Sequence, residues 1–236
     1  MTTPATTFEH SGLGYPIVDA DNHFYETPDC FSRHIENRHR AKAITASQRA
    51  DGSWEVKVGS KPYNFMDVKF DKTNKPGSMH EILKAKDAST GMKWGDSYTK
   101  ENMLAGFQHR DARLTLMDAQ GIEATLVLPT FAVSLESMMH DDPEQLYANY
   151  RSFNRWTEEE WGYGADKRIY APAMLSLLDV DEAVELLTAV LPDMDATELR
   201  DRLGSRRGFA WLKREISPKQ RQEIYRLGLP GVAIGT

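Results

Sequence analysis

Apolar and polar positions along the chain fall into three strand–helix cycles. The stretch Tyr15 to Asp21 reads as a first strand, with Pro16 confined to its start because proline cannot donate to a ladder. If extension continues, Ile17, Asp19, Asp21 and His23 share one face, since strand side chains alternate with period two. Thr27-Pro28-Asp29 then carries helix-start chemistry: a hydroxyl N-cap, proline at the first helical position and an acid near the positive end of the helix dipole. A short helix is expected from there through Cys30, Phe31, Ile35 and His39. The second cycle begins near Gln108. Leu114, Met117 and Asp118 share a helix that Gly121 ends, and Ile122 to Pro129 reads as a buried strand. Pro143 to Trp161 places Leu146, Tyr150, Phe153 and Thr157 at helical spacing, with Trp156 and Trp161 read as core. In the third cycle Arg168 to Leu178 is a strand region, and Asp179 introduces a helix through Ala183, Val184, Leu186, Leu187 and Val190. Such alternation is the pattern of parallel α/β folds.

Residues 40–105 break the rhythm. Trp54, Val56 and Val58 alternate with Glu55 and Lys57, and Gly59-Ser60-Lys61 turns the chain before Pro62 to Phe65. This is a hairpin inside a polar stretch, read as a long insertion after the first strand, and such loops often serve as lids or binding loops. The expected organisation is a flexible start over 1–14, a barrel-type portion over 15–190 that includes the insertion, and a divergent helical segment over 191–236. In that last segment, residues 192–202 read as a very charged helix. Ser217-Pro218 reads as another capped helix start, and Leu227 to Thr236 as one short strand.

Composition narrows the function classes. The 236 residues are 40% hydrophobic, enough for one sizeable core. Twenty-nine basic against 35 acidic residues give a net charge of −6, without the clustered basic face that a nucleic-acid partner would call for. The longest mostly apolar run, Ala124 to Val133, falls short of the roughly 20 residues of a spanning helix. No signal peptide is expected from the first ten residues, so the expected setting is cytoplasmic, with no membrane partner. The single cysteine, Cys30, excludes an intramolecular disulfide or a multi-cysteine metal cage. In a helix's opening turn its thiol pKa could be lowered, but no His–Asn arrangement makes it a nucleophile.

The chemistry concentrates in Val18 to Glu26. Asp21 and His23 stand two apart at the C-terminal end of the first strand, which in a parallel barrel is the mouth where active sites collect. A carboxylate oxygen and a neutral imidazole suit zinc, or manganese and similar ions. An Asp-x-His pair alone is also a common polar loop start.

The run Asp19-Ala20-Asp21-Asn22-His23-Phe24-Tyr25-Glu26-Thr27-Pro28-Asp29 resembles the first-strand motif of the amidohydrolase superfamily. The resemblance is to its amidohydrolase-related group (amidohydrolase 2, ACMSD-like), which includes carboxylate decarboxylases and hydrolases of C–C or amide bonds. It continues through Arg113 to Thr130, Asn154 to Trp156 and Arg168 to Val184, in the same order and spacing over roughly residues 15–190. It implies a partial (β/α)8, TIM-barrel-like parallel sheet with the hairpin inserted after its first strand. It also implies a metal-dependent hydrolase or carboxy-lyase acting on a small-molecule carboxylate or carbonyl substrate. By resemblance, Asp21 and His23 match the paired metal ligands of the first strand, with zinc or manganese as the ion. Glu26 matches a nearby acid and is carried as the catalytic candidate.

The departure from the pattern is as informative. Such enzymes complete the site with histidines of the middle strands and an aspartate of the last strand. The histidines here are His10, His23, His34, His39, His80, His109 and His140, and none lies beyond 140. The expectation is therefore impaired activity. The alternative is a non-catalytic barrel fragment whose open sheet drives homo-oligomerisation. His34 and His39 are read as surface residues, while His80, His109 and His140 are loop histidines that could line a mouth.

Overall fold

The computed structural model describes residues 15–74, 77, 98–100, 103–193 and 195–204. The start over 1–14, His10, His80 and the features expected beyond Ser217 lie outside the described residues. In chain order the elements are β1 (Ile17–Phe24), β2 (Ile44–Gln48), β3 (Trp54–Val58), β4 (Lys61–Pro62), β5 (Thr73–Asn74) and β6 (Tyr98–Thr99). They continue with α1 (Arg110–Gln120), β7 (Ile122–Pro129), α2 (Pro143–Trp161), β8 (Ile169–Tyr170), α3 (Val180–Val190) and α4 (Ala196–Gly204). Strands β1, β7 and β8 form one sheet in that order, parallel throughout. This is the parallel α/β arrangement the strand–helix rhythm predicts, consistent with the partial barrel that the resemblance implies.

Local chemistry accounts for most boundaries. Gly121, at φ +70°, ends α1 in the left-handed conformation that glycine adopts without strain. Asp142 accepts from the Gln145 N–H and caps α2, whose first residue is Pro143. Asp179 accepts from the Asp181 and Glu182 N–H groups and caps α3. The charged stretch after residue 192 is helical as α4.

Two elements differ from expectation. The helix predicted from Pro28 is instead a run of turns to His34, then a 3-10 helix over Asn37–Lys42. The Thr27 hydroxyl donates to the Asp29 side chain instead of capping a helix, and Ser152 Oγ donates to the Phe31 carbonyl, diverting it from a helical ladder. The third strand shortens to Ile169–Tyr170. Pro172 has no N–H to offer, and the Met174 N–H and C=O are both taken by the Asn154 side chain of α2.

The core lies between the sheet and α2. Phe24 is fully buried, with its ring centroid 5.2 Å from that of Trp161, 5.7 Å from Trp156 and 6.5 Å from Phe153. Thr125, Val127 and Ile169 are buried on the same side. The opposite face is open: Val18 is 64% exposed, Leu126 37% and Tyr170 44%. The ladder between β1 and β7 is irregular. Asp19 pairs with Thr125 and Asn22 with Val127, so β1 uses three residues where β7 uses two. That is a β-bulge, and past it the strand's faces exchange.

The insertion builds its own antiparallel sheet, β2-β3-β4, apart from the parallel one, with the predicted hairpin as β3 and β4. It rests on the C-terminal ends of β1 and β7. The Ile44 N–H donates to Asn149 Oδ1 of α2 at 2.8 Å, Tyr63 Oη lies 2.6 Å from Ser134 Oγ, and Phe70 packs edge-on against Phe131. Among the described residues, no helix is long and apolar enough to cross a membrane.

Candidate functional site

The bulge corrects the expected face assignment. Ile17 and Asp19 are half-buried on the helix side, but Asp21 and His23 are exposed, while Asn22 and Phe24 turn inward. The consecutive exposed residues Ala20 and Asp21 mark the change of phase. Asp21 and His23 therefore project together onto the open face at the C-terminal end of β1, without Asp19. The two strands hold His23 firmly. Its Nδ1 lies 3.3 Å from the Pro129 carbonyl at the end of β7, and since a carbonyl only accepts, Nδ1 carries the proton. In the neutral ring this leaves the lone pair on Nε2, which has no partner among the described residues, the arrangement metal-binding histidines use. The Asp21 carboxylate has no hydrogen-bond or ion-pair partner among the described residues.

An exposed carboxylate and an imidazole on the same face are donor types that suit a divalent ion. Among the described residues, no third histidine, cysteine or acid joins them to make a metal-binding group. The other described histidines lie elsewhere. His34 Nε2 pairs with Glu159 at 2.7 Å. His39, expected at the surface, is buried between Glu36 and Glu144 because the 3-10 helix over Asn37–Lys42 turns it against α2. His109 is exposed just before α1. His140 is held in its own loop by the Ser137 carbonyl and Asp141. Cys30 is no reactive thiol either: it is buried, and burial followed by the charges of Glu26 and Asp29 pushes its pKa up, not down.

Glu26 occupies a different kind of place. Two residues past β1, it is 2% exposed, and its Oε1 accepts from the Phe131 and Ala132 N–H groups at 3.0 Å each. Burial outweighs those hydrogen bonds and pushes the carboxyl up to about 7. It lines a small cavity of about 50 Å³ with Tyr25, Thr130 and Phe131, roofed by Met66 to Phe70 of the insertion. A larger hollow of about 260 Å³ lies in the insertion, walled by Trp54, Tyr63 and Met66, and includes none of Asp21, His23 and Glu26. The burial of Glu26 was not legible in the sequence, where it was carried only as the acid that the resemblance matches. The one hint was its place directly after Phe24-Tyr25.

No family model matches this sequence, and no curated protein does. Among solved structures, the chain is similar to the crystal structure of an amidohydrolase from Mycobacterium avium subsp. paratuberculosis K-10. The TM-score is 0.67 and the identity 30%, over 76% of this chain and 48% of that one. The match supports the amidohydrolase superfamily, is consistent with a partial barrel, and does not single out a subgroup. The chain spans about half the length of that amidohydrolase.

Proposed function

We propose that the chain carries the first part of a metal-dependent amidohydrolase-type site, in which Asp21 and His23 hold a divalent ion, zinc or manganese. The observation that supports this most is the anchored imidazole: His23 Nδ1 is tied to the Pro129 carbonyl and Nε2 has no partner among the described residues, on the same exposed face as Asp21. The substrate class is a small carboxylate or carbonyl compound, and the reaction is hydrolysis or non-oxidative decarboxylation of the ACMSD-like kind. When bound, the ion would polarise a carbonyl or carboxylate, or lower the pKa of a bound water toward ~7.

The chain's own groups do the rest. The Pro129 carbonyl fixes the His23 tautomer and ring direction. Glu26, whose Oε1 accepts from two amide N–H groups and whose carboxyl is pushed up to about 7, can give or take a proton near neutral pH, as a general acid or base must. Phe70 and Phe131 keep water from it. Two protein ligands bind an ion weakly, whereas a catalytic zinc normally has three.

The test is zinc titration of the dialysed chain, with elemental analysis and a panel of aromatic carboxylates and amides. Weak zinc binding that disappears in Asp21→Ala and in His23→Ala, with negligible turnover, is the expected result. Equal zinc affinity in the wild type and both variants would refute the ligand assignment. Retention of about one equivalent with turnover would refute the impaired activity. A second reading, a non-catalytic self-associating barrel fragment, is favoured by the exposed Val18, Leu126 and Tyr170 on the open sheet face. Its mark is a concentration-dependent hydrodynamic size without zinc binding.

A further inference from the structure

Simple alternation along β1 would not make Asp21 and His23 face outward. Val18 is 64% exposed and defines the open side, so strict alternation would send Ala20, Asn22 and Phe24 there and turn Asp21 and His23 toward the helices. The bulge between Asp19 and Asn22 reverses this, at the cost of ladder hydrogen bonds over those residues. A side-chain network supplies replacements. Asp19 Oδ1 accepts from the Asp21 N–H at 3.1 Å, and Asp19 Oδ2 accepts from Asn22 Nδ2 at 2.9 Å. Asn22 Oδ1 accepts from the His23 N–H and from Arg113 Nη1, both at 2.8 Å. Arg113 Nη2 donates to the His23 carbonyl at 2.7 Å, and its Nε donates to the Gly106 carbonyl.

Arg113 is an expensive choice for this place. It is 2% exposed, its guanidinium lies 5.6 Å from the Phe107 ring centre and 5.8 Å from that of Trp161, and no carboxylate forms an ion pair with it among the described residues. A buried cation there costs stability that an apolar side chain would not. The return is a rigid planar fork that reaches two acceptors on adjacent residues. Its seat is equally constrained: a Cβ on Gly106 would come within 3.0 Å of the Ala112 carbonyl oxygen and 3.2 Å of Arg113 Cα.

We infer that Asn22, braced by Asp19 and Arg113, is a positioning residue that sets the bulge and thereby presents Asp21 and the His23 Nε2 to one ion. The inference rests on the proposed ligand roles only for the word ion; the orientation of His23 is testable without metal. The experiment uses the full chain labelled with ¹⁵N-histidine and read by long-range ¹H–¹⁵N correlation in metal-free buffer. His23→Gln assigns the His23 signals, and zinc affinity is measured in parallel by chelator competition.

Wild type should show the Nδ1–H tautomer at His23. In Asn22→Ala that signal should shift to a tautomer average and zinc affinity fall at least tenfold. Arg113→Lys, which keeps the charge and loses the fork, should move both readouts the same way by less. Tautomer and affinity within twofold of wild type in a folded Asn22→Ala would overturn the inference. So would loss of folding in both variants, because the network would then be a general stabiliser. If wild type binds no zinc but the tautomer still responds to Asn22→Ala, the positioning role stands and the metal assignment fails.

Discussion

Replacing Glu26 by glutamine isolates the energetic consequence of burying that carboxyl. Gln keeps an oxygen for the Phe131 and Ala132 N–H groups and removes the charge. In the folded chain the carboxyl titrates at about 7, against 4.5 when exposed, mainly because burial disfavours the anion. The folded state therefore holds this proton more tightly than the unfolded state does. The resulting stability is fully present below about pH 4.5, is lost as pH rises through about 7, and levels off above. A shift of that size corresponds to roughly 3 kcal/mol. The difference in unfolding free energy between Glu26→Gln and wild type should thus grow by about 3 kcal/mol from pH 4.5 to pH 8, in favour of the glutamine chain at the higher pH. Urea unfolding at four or five pH values, followed through the tryptophan fluorescence of buried Trp156 and Trp161, measures it. Taking the difference cancels groups common to both chains, including Asp29 and Asp166, whose carboxyls sit below their ordinary range. A poorly placed glutamine amide would displace the whole difference curve without tilting it. Parallel stability profiles across pH 4.5–8 would refute the raised carboxyl and remove the reason to regard Glu26 as a proton carrier near neutrality.

The remaining expectations are more direct. Zinc binding should be weak in the wild type and absent in Asp21→Ala and His23→Ala by titration, while Asn22→Ala should lose affinity and the fixed His23 tautomer together. Phe24→Ala empties the contact with Phe153, Trp156 and Trp161 and should cost about 3–5 kcal/mol in urea unfolding. Tyr63→Phe removes the hydrogen bond to Ser134 that ties the insertion to the loop after β7. It should cost about 1 kcal/mol and speed hydrogen exchange in β3, with no change in the core tryptophans.

The parts of the fold legible in the sequence are those whose determinants are local. Gly121 after α1, Pro143 at the first position of α2 and Asp179 before α3 are signals a short stretch of chain carries by itself, and those boundaries fall where the spacing predicts. The hairpin of β3 and β4 was legible for the same reason, through alternation and a glycine turn. The Asp21–His23 pair was legible through its motif, but not the face it occupies. That depends on a one-residue slip against β7 and on Arg113, some 90 residues away, whose guanidinium replaces the missing ladder bonds. The helix expected from Pro28 failed on a similar contact, with Ser152 taking the Phe31 carbonyl from a distance of more than a hundred residues. His39 was read as a surface residue and nothing in the sequence marked Glu26 as buried; the packing of α2 against the one and of residues 131–132 against the other decides both. Sequence patterns encode where a chain turns and which stripe is apolar. The register between distant strands and the burial of single polar groups are settled by contacts that exist only once the sheet has closed on its helices.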